Sequence, residues 1–276
     1  MKQPQPIIVT HLFPEILDEL LNLLTSLSAE EWDKPTACSG WSVKDVALHL
    51  LGGDISILSR KRDNHLFSGD PIQSWDELVD LINHLNDLWV KATRRISPHL
   101  ARDLLELTGV QVCDYFESLD SYAMGEPVDW AGPGPAPVWL DLAREYTERW
   151  HHQQHIRDTV GRPGLKQLRF FAPVLDAFIR ALPHTFRDVA AADGTLVAVE
   201  ISGDAGDKWF LLREKASWSL YLKMTEKPQT EVVIEQDIAW RLFTKGISRD
   251  DALPQITING DRELGLKALD MVSIIA

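Results

Sequence analysis

Glu148-Arg149-Trp150-His151-His152-Gln153-Gln154-His155, or ERWHHQQH, is the stretch on which the reading of this chain turns. Glu148, His152 and His155 are offset by four and seven residues, so in an α-helix they lie nearly one above another on a single face. A carboxylate and two imidazoles then point the same way. Glutamate oxygen and imidazole nitrogen are the usual ligands of zinc and similar divalent ions, and one helix presenting two or three of them holds much of a site. Histidine-rich helical segments are also often merely solvated. The metal reading gains weight from His49, in the middle of a second, strongly apolar helical stretch. His151 falls about 100° from His152 around the helix and is expected on the surface.

Composition narrows the setting. With 276 residues and 45% hydrophobic content the chain is long enough for two ordinary domains with proper cores. Lys+Arg 28 against Asp+Glu 41 gives a net charge of −13, which argues against nucleic acid and against anionic membrane surfaces as partners. Two cysteines, Cys38 and Cys113, are too few for a disulfide scaffold and suit a reducing cytosol. The opening MKQPQPIIVT has no long apolar run before a small-residue cleavage site, and nothing later approaches a membrane span. The expectation is a soluble cytoplasmic protein.

Around the central stretch, apolar positions recur at helical spacing over Phe13 to Leu27, Val43 to about Lys61, Leu78 to about Ile96, Pro98 to about Tyr122 and Pro137 to Val160. Capping patterns open three segments: Ser28 with Glu31, Ser42 with Asp45, and Ser74 with Glu77. Gly109 is costly inside a helix and marks a candidate kink, whereas Gly161, with Pro163 beyond it, is a candidate left-handed terminator. PTACSGW reads as a loop. So does MGEPVDWAGPGPAP, whose prolines and glycines are expected to preclude regular structure and whose position beside the metal-candidate helix suits the mouth of a pocket. The first ~160 residues therefore read as a helical bundle.

After one more helix, Phe170 to about Phe186, the pattern changes to short β-like runs, TLVAVEIS, KWFLLRE, SWSLYL and TEVVIE, expected to form an antiparallel sheet. Helical stretches near Gln236 to Thr244 and Leu264 to Met271 flank the run ITING. The expected division is a helical domain over residues 1–163 and an α+β domain over 164–276.

With CSGWSVKDVALHL (Cys38 to Leu50), the Glu148 and His152 pair, and LPHTFRDV, DIAWRLFTKGIS and INGDRELGLKALDMVSIIA in hand, the chain resembles the mycothiol-dependent maleylpyruvate isomerase family over its whole length. That resemblance implies an N-terminal DinB-like four-helix bundle and a C-terminal sterol-carrier-like α+β domain. It also implies that His49, Glu148 and His152 bind one divalent metal, zinc before nickel or another ion, with positions left open for water or substrate. Three protein ligands plus an open position is the arrangement of a catalytic rather than a structural zinc site. The implied cofactors are that metal and mycothiol or another low-molecular-weight thiol. The implied activity is cis–trans isomerisation, or thiol S-transfer, on a small electrophilic substrate.

Other candidates keep two readings each. His155 is a fourth ligand, an acid or base beside the site, or a polar group at the pocket edge. Arg187 and Arg241 are candidate catalytic groups that bind an acidic substrate or a thiol's carboxylate, and otherwise ion-pairing residues. Asp45 orients His49 or, as favoured, only caps its helix. Cys38 is a thiolate ligand or nucleophile, or more often an apolar filler, and Trp41 is expected to pack against the bundle end. The alternatives to an enzyme of this type are a catalytically inactive protein binding metal or a small apolar ligand, and a metal-activated hydrolase. A monomer and a homodimer are both compatible with the sequence.

Overall fold

The computed structural model describes residues 1–65 and 74–274. These fall into two compact units. One comprises Val9–Asp120 and Glu145–Leu165; the other comprises Met1–Ile8, Ser121–Arg144 and Lys166–Ile274. The last two residues of INGDRELGLKALDMVSIIA lie outside the described chain.

The first unit is helical: α1 (Phe13–Thr25), the single turn α2 (Ala29–Trp32), α3 (Val43–Ser56), α4 (Trp75–Thr93), α5 (Pro98–Glu117) and most of α6 (Val138–Val160). The starts are set by the expected caps. Ser28 with Glu31 and Ser42 with Asp45 form reciprocal capping boxes, Ser74 accepts from Glu77 N–H, and Ser97 caps α5 with Pro98 in its first turn. Helix α6 ends at Gly161, whose φ of 68° is the left-handed terminator anticipated from the sequence. Gly109 does a different job from a kink: a Cβ there would stand 2.6 Å from Leu17 Cδ1, so its absence lets α5 approach α1 closely. Leu20, Leu24, Val46, Leu50, Leu105 and Ile156 meet in one buried cluster drawn from α1, α3, α5 and α6, the core of the four-helix bundle.

Where α6 meets α3 the core is charged. Arg149 donates to Asp54 Oδ1 at 2.8 Å and to Glu145 Oε2 at 2.8 Å, while the Thr108 hydroxyl donates to Asp54 Oδ2 at 3.1 Å. The guanidinium also lies over the rings of Phe13 and Phe116. Asp54 and Glu145 are both buried.

The second unit holds a five-stranded sheet in the order β5-β4-β3-β6-β7, with β3 at Leu196–Ser202, β4 at Lys208–Glu214, β5 at Ser217–Tyr221, β6 at Thr230–Glu235 and β7 at Thr257–Gly260. The β3–β4, β4–β5 and β6–β7 pairs are antiparallel, as expected, whereas the central β3–β6 pair is parallel, Val199 facing Val232. Helices α7 (Leu168–Ile179), α8 (Leu182–Thr185), α9 (Gln236–Phe243), α10 (Arg249–Ala252) and α11 (Arg262–Ala268) accompany it. The helix anticipated from Phe170 to Phe186 is thus two, with Pro183 in the first turn of the second.

Two features depart from the sequence reading. A single cut after residue 163 does not separate the units, because Leu222 N–H donates to Lys2 C=O and Arg180 donates to Gln5 C=O, which ties the N-terminal residues to the sheet unit. In addition, MGEPVDWAGPGPAP is not wholly irregular. Its β1 (Met124–Pro127) and β2 (Pro135–Pro137) pair antiparallel in a short, irregular ladder with prolines at its ends. Among the described residues no helix is long and apolar enough to cross a membrane.

The buried charge cluster generates a stability prediction. Arg149→Met removes the shared cation and leaves two carboxylates in the core, so thermal or denaturant unfolding at neutral pH should show a loss of about 3–5 kcal/mol. Those carboxylates would then hold their protons more tightly folded than unfolded, so the deficit should shrink as pH falls into the carboxylate range. A loss below ~1 kcal/mol would mean that the cluster is solvated.

Candidate functional site

The site lies in the helical unit, where α3, α6 and the loop between α2 and α3 converge. His49 Nε2 stands 2.9 Å and His152 Nε2 3.1 Å from the same oxygen, Glu148 Oε1. The imidazole centroids of His49 and His152 are 4.6 Å apart. One donor atom from each of the three residues lies within 4.8 Å of the others. The Glu148 side chain keeps 34% of its surface open against 11% for His49 and 10% for His152, so the cluster is reached from the carboxylate side.

Electrostatics couple the three groups. Burial works to raise the Glu148 carboxyl, but the His152 charge and hydrogen bonds from both imidazoles outweigh it and hold it well below the usual carboxylate range. Burial pulls His152 down, yet the Glu148 carboxylate, aided by the Cys38 sulfur, lifts it to about 10. His49 is lowered by burial and by the neighbouring His152, so it donates from Nε2 as a neutral ring. Without a metal, the cluster is an ion pair with a neutral imidazole on its flank.

The PTACSGW loop supplies the opposite side. Its neck is closed by Thr36 N–H and Thr36 O–H, both donating to Trp41 C=O at 2.9 Å, and Cys38 N–H donates to Thr36 Oγ1 at 3.2 Å. Arg94 binds Asp45 through two hydrogen bonds of 2.9 Å and donates to Gly40 C=O, fastening the loop to the end of α4. Asp45 is therefore the cap of α3 and the partner of Arg94, the favoured of its two readings. Trp41 packs against the bundle core, and its ring also covers His49 with centroids 5.0 Å apart. Cys38 Sγ lies 3.1 Å from His155 Nδ1 and 3.9 Å from His152 Nδ1. The filler reading of Cys38 is incomplete, because its sulfur faces two ring nitrogens as well as the core.

His151 corrects the sequence reading. It is 3% exposed rather than a surface residue, its Nδ1–H donates to Thr147 C=O at 2.9 Å, and its ring lies 4.1 Å from that of His152. Burial pushes it down to about 3, so it stays neutral and supports the His152 ring. Helical periodicity places His151 correctly but says nothing of what packs beyond it. In the second unit, Arg187 donates to His184 C=O and pairs with Asp188, while Arg241 donates to Asp237 C=O and stacks on Trp240. The chain's other cysteine, Cys113, has its thiol raised to about 11 by burial, which makes it unreactive.

The donor set suits a divalent ion. Two neutral imidazoles and a carboxylate are the ligand types of zinc sites with an open position, and two tetrahedral ligands stand about 3.4 Å apart across the ion. The observed 2.9 and 3.1 Å from the two imidazoles to Glu148 Oε1 are hydrogen-bond distances a few tenths of an ångström short of that spacing.

No curated protein matches the sequence. Among solved structures the chain is similar to the mycothiol-dependent maleylpyruvate isomerase, with a TM-score of 0.55 at 9% identity and 91% of each chain covered. A mutant of that enzyme matches with a TM-score of 0.54 at 10% identity over the same share of both chains. At such identity the likeness is one of fold. The sequence itself matches the mycothiol maleylpyruvate isomerase N-terminal domain over residues 13–157, a span that contains every residue of the histidine cluster, and the chain belongs to that family.

Proposed function

We propose that this protein is a divalent-metal-dependent enzyme that uses a low-molecular-weight thiol on a small electrophilic substrate, as a cis–trans isomerase of the maleylpyruvate isomerase type or as a thiol S-transferase. The observation that carries the reading is the convergence of two imidazole Nε2 atoms, from α3 and α6, on one oxygen of Glu148. Family membership and the shared fold support thiol-dependent isomerase chemistry as the reaction class.

In this reading His49, Glu148 and His152 hold the ion, zinc in the first instance. When bound, the ion supplies the positive charge that keeps a coordinating thiol deprotonated at neutral pH. The remaining residues act on geometry. Trp41 shields the His49 ring from water on one side. His151, fixed by its hydrogen bond to Thr147 C=O, packs its ring against that of His152. His155, with Nδ1 beside the Cys38 sulfur, stands at the edge of the cluster.

Two outcomes test this. Zinc-loaded protein assayed with mycothiol, bacillithiol or glutathione and a small cis-configured conjugated acid should turn over only when a thiol is present. His49→Ala should lower metal affinity by more than about 100-fold and remove that turnover. Full activity without any thiol would contradict the proposal, as would full metal occupancy in His49→Ala.

The second outcome concerns protons. His152 carries a proton at neutral pH in the metal-free protein because its value is raised to about 10. Metal entry must therefore expel about one proton per ion, and apparent affinity must rise with pH across the neutral range. Isothermal titration calorimetry in buffers of different ionisation enthalpy reads that proton directly. Glu148→Gln removes the carboxylate that lifts His152, so the variant should bind metal more weakly and release markedly fewer protons. Proton-neutral binding by the unmodified protein would contradict the ion-pair description of the cluster.

A further inference from the structure

We propose a second cation position in this chain, formed by Cys38 Sγ, His155 Nδ1 and His152 Nδ1, for a thiophilic divalent ion of the zinc or cobalt type. It stands apart from the position assigned to His49 and Glu148 and shares only His152 with it.

The geometry is that of a ligand set. One donor atom from each of the three residues lies within 4.8 Å of the others. The sulfur is 3.1 and 3.9 Å from the two nitrogens, values that bracket the about 3.6 Å separating a thiolate and an imidazole nitrogen on a tetrahedral zinc ion. The elements that carry them hold them in place. His152 and His155 sit three residues apart on α6, and Cys38 is held by the hydrogen-bonded neck at Thr36 and Trp41. Thiolate with imidazole is the softer set, suited to thiophilic ions, whereas the carboxylate and imidazoles around Glu148 form a harder one.

The His152 ring requires that these be two positions. Its Nε2 faces Glu148 and its Nδ1 faces Cys38, and the two lone pairs of an imidazole diverge, so a single ion cannot take both. Occupation of the Cys38 position alone takes the Cys38 sulfur as thiolate, displaces the His152 Nδ1 proton to solvent and leaves the His155 ring proton on Nε2. Occupation of both removes the remaining His152 proton and makes that ring a bridging imidazolate. Carboxylate, thiolate and imidazolate then offset most of the charge of two dications, which makes joint occupation electrostatically acceptable.

The test is titration of metal-free full-length protein with Co²⁺ alone, followed by near-ultraviolet absorption and by metal analysis. The expected result is two equivalents bound, one of which brings a thiolate-to-cobalt charge-transfer band. Cys38→Ser should abolish the band and one equivalent while retaining the other, and His155→Gln should weaken the banded equivalent by at least tenfold. His49→Ala should keep the band, and a single banded equivalent in the unmodified protein that Cys38→Ser removes would support the Cys38 position while removing the His49 one. Circular dichroism confirms folding of each variant, and Cys38→Ala serves if the serine variant is unstable. The proposal is overturned if the unmodified protein shows no charge-transfer band, or if the band survives in both Cys38 variants. The first result would mean that the Cys38, His152 and His155 contacts are hydrogen bonds only.

Discussion

The position of α6 against α3 rests on the buried guanidinium of Arg149. It answers two carboxylates, Asp54 from the facing helix and Glu145 one turn back on its own, and lies over two aromatic rings. Arginine's planar fork serves both partners at once. Any slip of α6 along α3 would leave at least one of these charges buried without its counterion, at a cost of several kcal/mol. Glu148 immediately precedes Arg149, and His49 lies five residues before Asp54. The lock that settles helix packing therefore also settles the contact between the Glu148 carboxylate and the His49 imidazole.

Helix α6 is unusual in being both central and polar. Glu145, Thr147, His151, His152, Gln153, Gln154 and Arg157 are all buried on it. Much of this polarity is spent on holding neighbours: Gln153 donates to Ile16 C=O, Trp150 to Leu165 C=O, and Arg157 to Glu19 and to Gln153. A core helix built this way is rigid, since each side chain is fixed by a directional bond as well as by packing. That rigidity suits a site whose ligands must hold their geometry without relying on a bound ion.

Much of this was legible in the sequence, and the rest was hidden for identifiable reasons. The caps at Ser28, Ser42 and Ser74 were visible because capping depends on residues three apart. The shared face of Glu148, His152 and His155 followed from helical periodicity alone. The burial of His151 did not, because periodicity orders side chains around a helix without saying whether one or several neighbours cover it. Likewise the parallel β3–β6 pair joins strands separated by a whole hairpin, which alternation along either strand does not report. The approach of Cys38 to His155 crosses 117 residues of chain and depends on a loop neck closed by the N–H and hydroxyl of one threonine. Spacing arguments do not reach contacts of that kind.

The central claim is that His49, Glu148 and His152 form one metal site, and the measurement that meets it most directly is anomalous X-ray diffraction from zinc-loaded crystals at the zinc edge. The account predicts an anomalous peak within bonding distance of His49 Nε2, His152 Nε2 and a Glu148 oxygen, with both imidazoles moved off their hydrogen bonds to the carboxylate. Crystals that take up zinc yet show no peak between these three side chains, with the two hydrogen bonds to Glu148 intact, would contradict it.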